Sequence, residues 1–153
     1  MNMRVIDLLN QARSRELGAI SQYMIHYYEL KDKDYGKLAR KLRDIAIAEM
    51  KHAGELASRI LFLNGEPLSR PAGEAVKGQE ITDMLKTDIA IESDAIDLYN
   101  EAASLCAAEK DQASKDLFED LIRDEEEHLD TFENVRNLIG TLGAAYLVSL
   151  TGK

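Results

Sequence analysis

Two short stretches combine carboxylate and imidazole at helical spacing: Ile47-Ala48-Glu49-Met50-Lys51-His52 and Asp124-Glu125-Glu126-Glu127-His128. Each holds Glu-x-x-His, and on a helix positions i and i+3 share a face, so each pair can present both groups to one point. One such motif carries little information. Here each is preceded by a further glutamate, and the interval from Glu16 to Glu49 equals that from Glu92 to Glu125. One constant offset therefore carries the whole first triplet onto the second, which makes them an internal repeat. Glu16, Glu49, His52, Glu92, Glu125 and His128 are the candidate ligands of one metal centre. Oxygen and imidazole donors without sulfur suit Fe(II) or Mn(II), and iron is the expectation.

The elements that would carry these residues read as helices. Glycine is modest at nine, proline occurs twice, and the chain is rich in good helix formers. A first helix from about Met3 to Leu30 has Leu9, Ala12, Glu16, Ile20, Tyr23 and Tyr27 on one stripe. Asp34 closes the turn Lys31-Asp32-Lys33-Asp34 and is expected to cap the next helix. That helix, about Tyr35 to Leu63, has the stripe Leu38, Leu42, Ile45, Glu49, His52, Leu56, Ile60 and Leu63. A second face carries Ala39, Ala46, Met50, Ala53, Gly54 and Ala57, which asks for a second packing partner.

Asn64 to Gln79 holds both prolines and three glycines and reads as an irregular connection. Extended, it reaches roughly 50 Å, against about 42 Å for a helix of about 28 residues. It can run the length of the molecule and start the third helix at the far end. The third helix, about Glu80 to Ala108, places Ile81, Leu85, Asp88, Glu92, Ala95, Tyr99, Ala103 and Cys106 together. The fourth is capped by Asp111 or Ser114, runs to about Ile139, and turns Phe118, Leu121, Glu125, His128, Phe132, Val135 and Ile139 inward. Gly140 and Gly143 are expected to break it, and Ala144 to Leu150 to form a short fifth helix. The fold expected over 1–153 is all-α and one domain: a four-helix bundle with one long crossover and a short C-terminal helix.

In such a bundle four carboxylates would be buried together. Each ion loses several kcal/mol of solvation and repels its neighbours. Two divalent cations would cancel the four negative charges. One Glu from each of two helices plus Glu-x-x-His from the other two is the ligand set of dinuclear carboxylate bundles.

Other classes are disfavoured. The net charge of −9 argues against nucleic acid as a partner. Cys106 is the single cysteine, so no internal disulfide or thiolate metal cluster can form. The N-terminus lacks the apolar stretch of a signal peptide and no apolar run suits a membrane span. The expected location is cytoplasmic.

The segments Glu16-Leu17-Gly18-Ala19-Ile20-Ser21-Gln22-Tyr23, Ala48-Glu49-Met50-Lys51-His52-Ala53 and Arg123-Asp124-Glu125-Glu126-Glu127-His128 resemble bacterioferritin, and the similarity runs along essentially the whole chain. The resemblance implies a ferritin-like fold and a hollow homo-oligomeric shell of 24 subunits built from dimers. It implies ferroxidase activity, in which Fe(II) is oxidised by O2 or H2O2 and ferric mineral is stored. Glu16 and His52 would be terminal ligands of one iron, Glu92 and His128 of the other, with Glu49 and Glu125 bridging. It places Tyr23 beside the centre as a donor of an electron or a hydrogen bond. It also makes Met50, with its symmetry mate, the axial ligand of a haem shared by two subunits, and implies a ferredoxin-type reductant. One departure stands out: the positions matching an inner-surface iron site of some members are Asp44 and Ala48, and alanine cannot ligate iron. The nearest alternative is a rubrerythrin-like peroxide-scavenging diiron protein, which typically has a second carboxylate where this chain has Ala95.

Overall fold

In the computed structural model, which describes residues 2–153, four long helices and one short one follow in order. They are α1 (Met3–Asp32), α2 (Gly36–Phe62), α3 (Ile81–Ala108), α4 (Gln112–Leu142) and α5 (Ala144–Ser149). Side chains cap two of the starts. Asn2 accepts from the N–H groups of Arg4 and Val5, and Asp111 accepts from that of Ser114. Asp111 also takes the guanidinium of Arg59 at 2.7 Å, tying the end of α2 to the start of α4.

Two sequence expectations at helix ends are corrected. Asp34 caps nothing at the start of α2, where Tyr35 is the flanking residue and no side chain bonds the first turn. Asp34 instead adopts φ 65°, a left-handed conformation that Asp tolerates, and the Tyr35 N–H donates to the Leu30 carbonyl at 2.9 Å. The residue ends α1 rather than beginning α2. Gly140 lies inside α4, and it is Gly143, at φ 57°, that stops the helix.

α1 and α2 form one antiparallel hairpin, and α3 and α4 the other. Three contacts fix α1 against α3 in antiparallel register: Tyr23 with Glu92, Tyr99 with Glu16 and His26 with Asp88. Likewise His52 meets Asp124 and Glu49 meets His128 across α2 and α4. The connection after α2 does run the length of the bundle, laid along α1. The side-chain amide of Asn10 holds the Glu66 carbonyl and the Leu68 N–H, and that of Gln22 holds the Val76 carbonyl and N–H. Between these clips the Ala72 N–H bonds the Ser14 carbonyl. There the chain comes so close to α1 that a Cβ on Gly18 would sit 3.0 Å from the Ala72 carbonyl oxygen, which is why a glycine stands at that position.

The apolar core is split into two blocks. One gathers Leu9, Leu56, Ile60, Tyr99, Phe118 and Leu121, and the other Tyr23, Leu38, Leu42, Leu85, Phe132 and Val135. The stripes read from the sequence supply most of both blocks, but Leu63, Ile81 and Ile139 at helix ends are only half-buried, and Val5, Ile6, Met84 and Ala102 join the core from outside the stripes. Ile20 and Tyr27 are only half-buried, and Ala19 takes the inward position beside them. On the second face of α2, Ala39, Ala46 and Ala53 are buried within the subunit and Ala57 is half-buried, which leaves Met50 and Gly54 exposed, beside the exposed Ile47. Among the described residues no helix is long and apolar enough to cross a membrane. Between the two apolar blocks lies a polar layer.

Candidate metal centre

The polar layer contains Glu16, Glu49, Glu92 and Glu125, each at most 1 % exposed, together with His52 and His128. Each residue interrupts an apolar stripe midway along its helix, so packing the two core blocks drives all six to one level. The ligand atoms form two groups, each lying within 4.8 Å: Glu16, Glu49, His52 and Glu125; and Glu49, Glu92, Glu125 and His128. Glu49 and Glu125 are common to both. The α1–α2 hairpin contributes one complete triplet and the α3–α4 hairpin the other.

The distances express this sharing. Oε1 of Glu49 lies 3.5 Å from Nδ1 of His52 and 3.0 Å from Nδ1 of His128. Oε1 of Glu125 lies 3.2 Å and 3.4 Å from the same two nitrogens. Glu16 approaches only His52, and Glu92 only His128, each at 3.6 Å. Both Nδ1 atoms, Oε1 of Glu49 and Glu125, and Oε2 of Glu16 and Glu92 are buried without a hydrogen-bond partner. So many unmatched polar atoms aimed at one volume would be costly for folding alone. The donor chemistry and the orphaned atoms fit two divalent cations.

The other valences of these groups are used. The Tyr23 hydroxyl donates to Oε1 of Glu92 and the Tyr99 hydroxyl to Oε1 of Glu16, both at 2.5 Å. Nε2 of His52 donates to Oδ2 of Asp124 at 2.8 Å, which leaves its Nδ1 free to face the carboxylates. Sequence reasoning does not single out Tyr99 or Asp124 as site residues. For Tyr99 a signal exists: it follows Tyr23 at the same offset that relates the two ligand triplets. A further polar set lies one turn along α1 and α3, where the buried His26 meets Asp88, Gln22 and the half-buried Gln79 of the connection; of these the sequence places only Asp88 on an inward stripe. A cavity of about 230 Å³ between α1 and α3, under the crossover at Ala72 and Gly73, reaches Glu16, Glu49 and Glu125. Ala95 lines it where the rubrerythrin-like alternative needs a carboxylate.

Burial and mutual repulsion spread the protonation of the centre. Burial pushes Glu92 up to about 8, and burial beside Glu16 holds Glu49 well above the usual carboxylate range. His52 and His128 rise to about 11 and about 9, because their contacts with Glu125 and with Glu16 or Glu92 outweigh burial, which acts the other way. Glu125, contacted by both imidazoles, is lowered despite its burial. Groups with raised values bind more protons folded than unfolded, so their contribution to stability falls as pH rises. Protein stripped of metal by chelation should therefore melt at progressively lower temperature between about pH 6.5 and about pH 11, with Glu92 contributing up to about 8, His128 up to about 9 and His52 up to about 11. Glu125 acts oppositely and matters only in acid. Two equivalents of divalent metal should reverse the trend, because metal requires the deprotonated ligands. A melting temperature that is flat or rising over that window without metal contradicts this account.

A family model described as Ferritin-like domain matches residues 6–141. The bacterioferritin of Desulfovibrio desulfuricans is 40% identical over 149 residues, spanning 97% of this chain and 83% of that protein. The bacterioferritin of Rhodobacter capsulatus is 42% identical over 140 residues, spanning 92% and 87%. The chain belongs to the bacterioferritin family. An X-ray structure of the D. desulfuricans protein, which addresses its diiron site in different catalytic states, superimposes with a TM-score of 0.96 over 99% of this chain and 88% of that one. A structure of R. capsulatus bacterioferritin superimposes with a TM-score of 0.94, at 39% identity, over 100% and 96% of the two chains. It has a metal-free dinuclear site and its heme iron in a crystallographic special position. Membership of the bacterioferritin family sets the rubrerythrin-like alternative aside.

Met50 lies on the outer face of α2, 45 % exposed beside the exposed Ile47 and Gly54. Asp44 is exposed and Ala48 half-buried, and among the described residues neither joins a metal-capable group.

Proposed function

We propose that this bacterioferritin oxidises Fe(II) at the six-residue centre and deposits the ferric product inside a shell of its own copies. The observation that carries the reading is the pair of orphaned Oε1 atoms on Glu49 and Glu125, each within 3.5 Å of both imidazoles. Such atoms suit ligands shared by two cations. Glu16 and His52 would complete one cation's set, and Glu92 and His128 the other's.

Two Fe(II) ions arriving as substrate supply two electrons, which reduce H2O2 with two protons to water, or O2 with two protons to H2O2. The chain's own residues provide the rest. The four carboxylates balance the cations' charge, and the two tyrosine hydroxyls fix the terminal carboxylates. Metal binding displaces the protons held on Glu49, Glu92 and the histidines, and so frees protons at the place where reduction consumes them. The cavity under the crossover gives small reactants a way in. Tyr23, buried against Glu92, is placed to donate a hydrogen bond or an electron.

The test uses the protein stripped of metal. On addition of two Fe(II) per subunit in air or peroxide, a fast oxidation phase should saturate at two per subunit. Oxidation no faster than in protein-free buffer overturns the proposal.

Met50 supports a haem between two subunits. It projects an exposed thioether, a known axial haem ligand, from a face that buried alanines do not cover. The heme iron of the R. capsulatus protein lies in a crystallographic special position, on a symmetry element that relates copies of that protein. Met50→Leu should fold normally and lose haem, read as loss of the Soret band. A full haem complement in that variant rejects the assignment. The assembled species is proposed to be a cytoplasmic 24-subunit shell, with a ferredoxin-type donor reducing the stored iron through the haem.

A further inference from the structure

The internal repeat holds for Glu16 and Glu92, Glu49 and Glu125, His52 and His128, and Tyr23 and Tyr99, but it breaks at one place that touches a ligand. Asp124, which holds Nε2 of His52, has Ala48 as its counterpart. Because α2 and α4 are antiparallel, residue 48 stands in the same register to His128 as residue 124 does to His52. A methyl group there can accept nothing, and His128 makes no hydrogen bond through Nε2 to any described residue. The two imidazoles differ accordingly: the His52 side chain is 3 % exposed and that of His128 12 %.

We propose that the two halves of the centre are unequal, with the first divalent cation entering the Glu16–His52 half because Asp124 holds His52 ready to bind. The inference rests on the dinuclear reading above. An outer hydrogen bond to a metal-binding histidine fixes its tautomer and ring orientation, and losing it typically costs 10–100-fold in metal affinity. Tyr23 and Tyr99 supply matching contacts to the two terminal glutamates, so they do not account for a difference. Asp124 and Ala48 do. Asp124 acts here as a positioning residue. Repulsion between two cations weakens the second step in any such centre, so the deciding quantity is how each step responds to its own partner residue.

The probe is Co(II), titrated into chelated, assembled protein and followed by its visible absorption and by calorimetry. Wild type should take two equivalents per subunit in two steps separated by about 10–100-fold. His52→Ala should remove the tight step and His128→Ala the weak one. Asp124→Ala, at a largely exposed position that does not threaten the fold, should weaken the tight step by about 10–100-fold and bring the two together. Ala48→Asp should do the converse, tightening the weak step while the total stays at two. Asp124→Asn serves as a shape-conserving control and should weaken the tight step less than alanine does. An unmoved tight step in Asp124→Ala overturns the proposal, as does an Ala48→Asp protein that gains a third equivalent while the weak step stays put. Failure of the dinuclear reading itself looks different: wild type would then bind fewer than two Co(II), or Glu49→Ala would bind as wild type does.

Discussion

Glu125→Ala will abolish rapid Fe(II) oxidation while the bundle remains folded. The carboxylate stands 3.2 Å and 3.4 Å from the two imidazole nitrogens and belongs to both metal-capable groups, so its removal damages both half-sites at once. Although burial acts the other way, His128 and His52 both contact it and favour its ionised form. Loss of an outer-shell partner alone costs 10–100-fold in affinity or activity, so loss of a shared ligand should cost at least about a hundredfold. Stopped-flow oxidation should fall to the rate of protein-free buffer, and Co(II) stoichiometry should drop below two per subunit. The change takes from both imidazoles the carboxylate they share, so the metal-free bundle should lose some stability, and circular dichroism checks that it stays folded. A variant that keeps the wild-type burst removes Glu125 from the mechanism.

Phe132→Ala should be the most destabilising single core substitution near the centre. The ring is 1 % exposed, and its centroid lies 5.4 Å from that of Tyr23 in a tilted arrangement. Truncating a buried Phe costs about 3–5 kcal/mol through lost transfer free energy and the cavity left behind. For a chain of this size that corresponds to a fall of roughly 10 °C or more in melting temperature. Urea unfolding of the chelated protein would measure it, and a loss under about 1 kcal/mol would mean that the site collapses around the gap. The substitution also loosens the face that presses Tyr23 toward Glu92, so oxidation should slow without any ligand having been touched.

Much of this arrangement is readable from the residues because helical periodicity reports which face each side chain occupies. Glu16 and Glu92 declare themselves by sitting in apolar stripes where a charged residue is out of place, and the repeat ties them to Glu-x-x-His. The crossover is readable from its length and its Pro and Gly content. What periodicity does not report is the partner across the interface. Tyr99 lies on the inward stripe of α3, but its hydrogen bond to Glu16 depends on the register of α1 against α3. Asp124 looks like one acid in a run of four, and it is 54 % exposed. Its role appears only once α2 is laid beside α4. His26 and Asp88 are 62 residues apart, and nothing local to either announces the other. Asp34 misleads because both a helix start and a left-handed turn favour Asp. The continuation of α1 to Asp32 decides between them.

The division of the ligands between two hairpins has a consequence for how the molecule comes together and comes apart. Each hairpin is local in sequence and closes a short loop, whereas joining them demands contacts between residues far apart in the chain. Each brings three of the candidate ligands to the joint, and before any cation arrives several of their polar atoms face one another there without a hydrogen-bond partner. The candidate centre thus also lies on the seam between the two hairpins. Cations bound there would act as rivets across that seam, holding a loaded subunit more tightly shut than an empty one.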